Sequence, residues 1–383
     1  MIKNKGFIIY IVVVLISILF VFVGYKITSP DIPQDDVDNF YKAKVIAIGE
    51  VDTEEFTFDD ISYMENKRIN FEAKISSGPH KGETVHAVQE VNSMYAIQPN
   101  EIEEGDKILV SYMPADGIYE EEWIFVEYNR TDTVMWLTLI FLFLIIVLGG
   151  CKGFSTVLSL IFTILIIFLV FIPSILKGYN IYLSTSIITI YIIFMSLTII
   201  NGVNKKTLCA IVGNIGGVAI AALIAIMLNN ILNLTGFIDE DYVYLTYMEL
   251  DNPINLVAII WSGIVIGSLG AIMDVAMSIS SAMNELAENM EKKTFSRMLQ
   301  SGMTIGRDAI GTMTNTLILA YVGSSLATVL LLIVYNKNLL YLFSMEMIVV
   351  EVLQAVIGSM GILFAVPVTA LFSAYIFTKE TEK

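Results

Sequence analysis

The sequence predicts a polytopic α-helical membrane protein with eight transmembrane helices and a small extracytoplasmic, OB-like β-barrel domain after the first helix. Three observations carry this. Of the 383 residues 56% are hydrophobic and 16% charged, with a mean hydropathy of +0.72, more apolar surface than one water-soluble core of that length can hide. Apolar runs long enough to cross about 30 Å of hydrocarbon recur along the chain. The charge is segregated, since Tyr25 to Thr131 hold 23 acids and 9 bases, a net of −14 within a chain total of −16.

Residues 1–24 open with Lys3 and Lys5, followed by an apolar run from Phe7 to Gly24. A signal peptide has the same plan. This run is longer than a usual signal core and no small-x-small cleavage site follows it, which points to an uncleaved anchor helix. Residues 25–131 change to short alternating runs broken by Gly, Pro, Asp and Asn, the pattern of a β-rich domain. Five strands are expected: "KAKVIAIGEV", "RINFEAKIS", "ETVHAVQEV", "DKILVSYM" and "EEWIFVEYN". In the second, period-2 alternation places Ile69, Phe71, Ala73 and Ile75 on one face. "SSGPHKGE" and "PADG" are turn signals, and five short strands suit a small barrel.

Residues 132–383 form the membrane domain. Its expected spans are Val134–Gly150, Phe154–Ile172, Ile181–Ile200, Leu208–Leu228, Ile254–Ser281, Thr304–Tyr335 and Val352–Phe377. Two are longer than a perpendicular crossing needs. The segment "LLYLFSMEMIVVEVLQ" before the last span reads as an interfacial turn, with Glu346 and Glu351 at the interface or Glu351 within reach of the bundle. Threading eight spans puts Lys3, Lys5, Lys152, Lys205, Lys206, Lys292, Lys293, Arg297, Lys379 and Lys383 on one side, against Lys177 and Lys337 on the other. The positive-inside rule then places both termini in the cytoplasm and the β-domain outside.

Ionisable groups inside a span cost about 2.5–3.5 kcal/mol and usually face a bundle interior or a pathway. Asp274 is such a group. Gly263, Gly267, Gly270, Asp274, Ser278, Ser281 and Glu285 recur at spacings of three and four, one small and polar stripe that suits close helix packing. On the next span Thr304, Asp308, Gly311, Thr312 and Asn315 share a face, with Arg307 beside Asp308. The two spans are joined by a short loop, so Asp274, Arg307, Asp308 and Asn315 are expected to form one polar cluster. Three readings stay open: a proton relay, a direct substrate contact, and a fastening in which Asp274 caps a helix end or pairs with Arg307. The joining segment "NELAENMEKKTFSRMLQ" reads as an amphipathic interfacial helix. Gly213, Gly217, Ala221 and Ala225 mark a close-packing face, with Asn214 beside it.

The acidic domain repels nucleic acid and anionic headgroups, so no nucleic-acid partner is expected. Two cysteines, Cys151 and Cys209, and two histidines, His80 and His86, offer neither a disulfide framework nor a metal centre. There is no phosphate-binding glycine loop, nucleophile elbow or HExxH. The expectation is a chain that is not an enzyme, with no catalytic residue, no metal and no cofactor. Its partners would be the lipid bilayer and a protein bound by the external domain. A small-residue helix face serves a homo- or hetero-oligomer as well as an internal contact.

"GSLGAIMDVAMSISSAMNEL" and "SGMTIGRDAIGTMTNTLILAYVGSSL" resemble the signature region of the YibE/F family of bacterial membrane proteins, and "GPHKGETV" and "EEGDKILV" also fit it. That resemblance implies a bacterial cytoplasmic membrane location and a multi-pass topology, with no reaction. A weaker similarity links the chain to SecD/SecF and related RND-superfamily permeases, which carry a glycine-flanked Asp followed by a Thr-rich helix. It implies that Asp274 is a proton-relay carboxylate faced by "TNTLILA". Eight spans, a small external domain and Asp308 after Arg307 depart from it. The sequence therefore leaves two classes: a transporter or export-assisting permease coupled to protons through Asp274, and a non-transporting scaffold, receptor or assembly factor.

Overall fold

The computed structural model describes residues 2–29, 40–59, 62–92, 99–114, 121–248, 250, 252–290, 293–335 and 338–379. Most of the "PADG" turn, and Lys292, Lys337 and Lys383 of the orientation argument, lie outside them. Contacts divide the chain into two units, residues 32–143 and a second formed by residues 1–31 with 144–383.

The first unit is a closed five-stranded barrel. Strands β1 (Phe40–Asp59), β2 (Ser62–Ile75), β3 (Thr84–Val91), β4 (Lys107–Met113) and β5 (Glu122–Tyr128) close in the order β1-β2-β3-β5-β4. All pairs are antiparallel except β3 with β5. Ile69, Phe71, Ala73 and Ile75 all point into the core, with Ala43, Val45, Ile108 and Val110 opposite them. Strands β1 and β2 run longer than their apolar pattern, because pairing continues from Asp52–Arg68 out to Asp59–Ser62. Backbone hydrogen bonds carry the ladder there. A glycine is required at position 78, which has φ +74° and lies against the Tyr41 ring.

The second unit is helical. Its elements are α1 (Ile2–Thr28), α2 (Thr131–Ile166, which begins in the first unit), a π turn (Ile167–Phe171), α3 (Ile172–Leu176), α4 (Ile181–Asn201), α5 (Lys205–Leu232), α6 (Glu240–Thr246), α7 (Leu256–Asn289), α8 (Phe295–Ser324), α9 (Leu326–Tyr335), α10 (Leu339–Leu342) and α11 (Glu346–Thr378). Helix starts are marked by side-chain caps, Asn180 for α4, Asn204 for α5 and Asn255 for α7. Six helices, counting residues 131–176 once, are long and apolar enough to cross a membrane, and α8 with α9 makes a seventh, bent by 62°. Eight were expected. The difference is residues 131–176, which read as one helical stretch broken at Gly150, with φ 56° and ψ −133°.

Two other expectations change. The segment from Asn284 to Gln300 forms no separate interfacial helix, because α7 continues to Asn289 and α8 begins at Phe295. The last span starts early, at Glu346, after the short turn α10. Helix α11 is central, packing against α5, α7 and α8. Close approach there depends on glycines. A Cβ at Gly217 would meet the Gly361 carbonyl at 2.7 Å and Ala365 at 2.8 Å, and one at Gly213 would strike Thr369. Helix α1 docks on α4 through stacked Phe20 and Tyr191 rings 3.9 Å apart and a 2.8 Å bond from the Tyr191 hydroxyl to Ser17.

Candidate functional site

The register of α7 and α8 places the polar residues. Met283 faces Gly302 and Ile279 faces Gly306, so the two helices run antiparallel. Continuing that register brings Ser281 level with Thr304, Ser278 with Arg307, Asp274 with Gly311, and Gly270 with Asn315. Asp274 stands near the middle of α7, far from either helix end, so it caps nothing.

Apart from Gly267, both polar stripes are largely uncovered among the described residues. Gly263, Gly267, Gly270, Asp274, Ser278 and Glu285 are exposed along α7, opposite its buried side of Ile272, Ala276, Ile279 and Met283. On α8 Thr304, Arg307, Asp308, Gly311, Thr312 and Asn315 are exposed, opposite Met298, Gly302 and Gly306. Nothing lies within 4 Å of a Cβ built at Gly263, Gly270 or Gly311. Among the described residues Gly263, Gly270 and Ser278 therefore form no packing seam, in contrast to Gly213 and Gly217 on α5. Spacing identified a face correctly but said nothing of what covers it.

One contact joins the stripe to α8. A Cβ at Gly267 would collide with the Tyr321 hydroxyl, so that hydroxyl sits against α7 where the backbone is bare. Arg307, Thr314 and Tyr321 recur every seven residues and share one side of α8. By the α7–α8 register that side of α8 runs alongside the α7 stripe, so the crevice between the two helices is bordered by Gly267, Gly270 and Asp274 on α7 and by Tyr321, Thr314 and Arg307 on α8. The Thr314 hydroxyl is buried and has no hydrogen-bond partner among the described residues.

The expected cluster is not closed. Asp274, Arg307, Asp308 and Asn315 make no side-chain hydrogen bond to one another, and Asp274 and Arg307 form no ion pair. The ion pairs among residues 42–132, such as Lys42 with Asp132 at 2.6 Å, belong to the other unit. No three His, Cys, Asp or Glu side chains among them converge as a metal site would require.

At the other end of the crevice sequence reasoning left Glu351 between the interface and the bundle and missed its partner. Ser325, at the break between α8 and α9, donates to the Glu351 carboxylate on α11. Glu351 is partly buried, and the Ser325 hydroxyl that bonds it also lies 2.9 Å from the Tyr321 carbonyl. Burial, then Asp239 and Glu351, push the Tyr242 phenol up from its ordinary value. A Ser and a Glu 26 residues apart carry no spacing signal. The antiparallel register of α8 and α11, with Gly306 against Val366 and Leu317 against Gly358, brings them together.

A bundle of long apolar helices with an ionisable crevice, joined in one chain to a small β-barrel, is the build of a multi-pass membrane protein. Residues 137–379 match the model of the YibE/F-like proteins, and the chain belongs to that family. No curated protein and no solved structure matches it.

Proposed function

We propose that the chain is a transporter or export-assisting permease of the bacterial cytoplasmic membrane, driven by the proton gradient through Asp274. The observation that carries this is an unpaired carboxylate in the middle of a membrane helix, with Arg307 one turn below it in the same crevice and no bond between them. Fastening would favour a closed pair, because a lone ionised group inside a bilayer costs about 2.5–3.5 kcal/mol. An Asp that binds and releases a proton avoids holding that charge throughout a cycle. The glycines on its wall leave the backbone bare and the hydroxyls of Ser278 and Thr314 offer proton-passing groups.

In this reading the break at Gly150 divides residues 131–176 into two crossings. Together with the six other spans they give eight, a count that puts both termini in the cytoplasm and the barrel outside. The protein works as a carrier rather than an enzyme, and its barrel recruits an extracytoplasmic protein partner. The test compares Asp274→Asn with Asp308→Asn in cells where loss of the gene has a measurable defect. Loss of function in the first at unchanged expression supports coupling, and full function in Asp274→Asn overturns it.

A further inference from the structure

Glu351 lies at the α9 end of the crevice. Its carboxylate is bonded by Ser325, whose hydroxyl also lies 2.9 Å from the Tyr321 carbonyl, so Tyr321 stands one turn of α8 away; Tyr242 of α6 is the other titratable group that feels its charge, together with that of Asp239. The neighbouring acid Glu346 is engaged elsewhere, receiving Thr235 and Gly236. Gly361 meets Ile272 and Gly358 lies beside Ser268, so α11 and α7 run in the same direction and Glu351 comes level with Trp261–Ser262. Asp274 is then a dozen residues further in, about 18 Å along the axis.

Two hydroxyls divide that distance. Tyr321 touches α7 at Gly267, and Thr314, with its unpartnered buried hydroxyl, stands about 10 Å further along the same side of α8, close to the depth of Asp274. We propose that Glu351 is the terminal proton-accepting group of the Asp274 crevice on the α9 side, passing protons along Tyr321 and Thr314. The proton leaves the Glu351 carboxylic acid and arrives on the Asp274 carboxylate. Glu351 is left anionic and Asp274 neutral. Each hydroxyl, with water between them, accepts one proton and releases one, and so ends unchanged. Because Ser325 sits at the α8–α9 break, the charge on Glu351 also bears on that bend.

The inference rests on the proton reading of Asp274, and the experiment separates their failures. The full-length chain is reconstituted in proteoliposomes sorted into the two orientations. Asp274 protonation is followed by infrared difference spectroscopy after an external pH jump, its carboxyl band being the one lost in Asp274→Asn. Glu351→Gln should slow that band by roughly a hundredfold in one orientation and leave the other unchanged. Tyr321→Phe, which keeps the Ser325–Glu351 contact, should slow the same orientation. Unchanged rates in both variants, or equal slowing in both orientations, overturn the role of Glu351 while Asp274 still titrates. Absence of any Asp274 band change in the wild-type chain overturns the proton reading and this inference together.

Discussion

Glu346 ties the start of α11 to the loop before α6: its carboxylate receives Thr235 N at 2.8 Å, the Thr235 hydroxyl at 2.8 Å and Gly236 N at 2.6 Å. Three charge-assisted bonds hold a segment that has no regular structure of its own. Glu346→Ala should lower the unfolding free energy of the bundle by about 2–3 kcal/mol, since hydrogen bonds to a charged group contribute about 1.5–3 kcal/mol each and water recovers part of the loss. Denaturant unfolding in nanodiscs measures this, and an unchanged midpoint would mean the loop is held by other contacts.

The glycines divide into two classes that one pair of substitutions distinguishes. Gly213→Ala places a methyl on Thr369 at the α5–α11 seam, and overpacking of that kind costs about 1–3 kcal/mol. Gly270→Ala meets nothing within 4 Å and should leave stability level or slightly raised. Thermal unfolding of the two variants side by side checks the contrast. Equal destabilisation would show that the α7 stripe is packed after all.

In the barrel, Lys67 donates to Glu101 at 2.7 Å, and that bond, then the Glu101 and Glu65 charges, raise the Lys67 pKa above its ordinary value. A raised lysine contributes stability that is complete below the unfolded-state pKa and is lost as pH climbs through the folded one. The stability difference between the wild-type chain and Glu101→Gln should therefore hold at neutral pH and shrink through the alkaline range. Barrel unfolding followed by tryptophan fluorescence measures it. A difference independent of pH would assign the effect of Glu101 to something other than Lys67.

The parts of this fold legible in the sequence are those set by local periodicity. The alternation of Ile69, Phe71, Ala73 and Ile75 marks the barrel's inner face, and spacings of three and four group Asp274 with Gly270 and Ser278. What lay beyond reach depends on tertiary register. Nothing local tells that Gly217 is packed and Gly270 open, because both are small residues at helical spacing. The pairing of Ser325 with Glu351 follows from the antiparallel register of α8 and α11, which apolar content does not encode. Arg307 and Asp274 were expected to meet because a short loop joins their helices. The antiparallel register instead sets them one turn apart, each on its own wall.

The central claim is that Asp274 carries protons, and the most direct measurement is proton entry into proteoliposomes holding the full-length chain, read by an internal pH dye under an imposed gradient. The account predicts rapid entry with the wild-type chain and a fall of at least about a hundredfold in Asp274→Asn, with Asp308→Asn largely retaining it. Equal rates for the wild-type chain and Asp274→Asn, both folded and inserted, would contradict it.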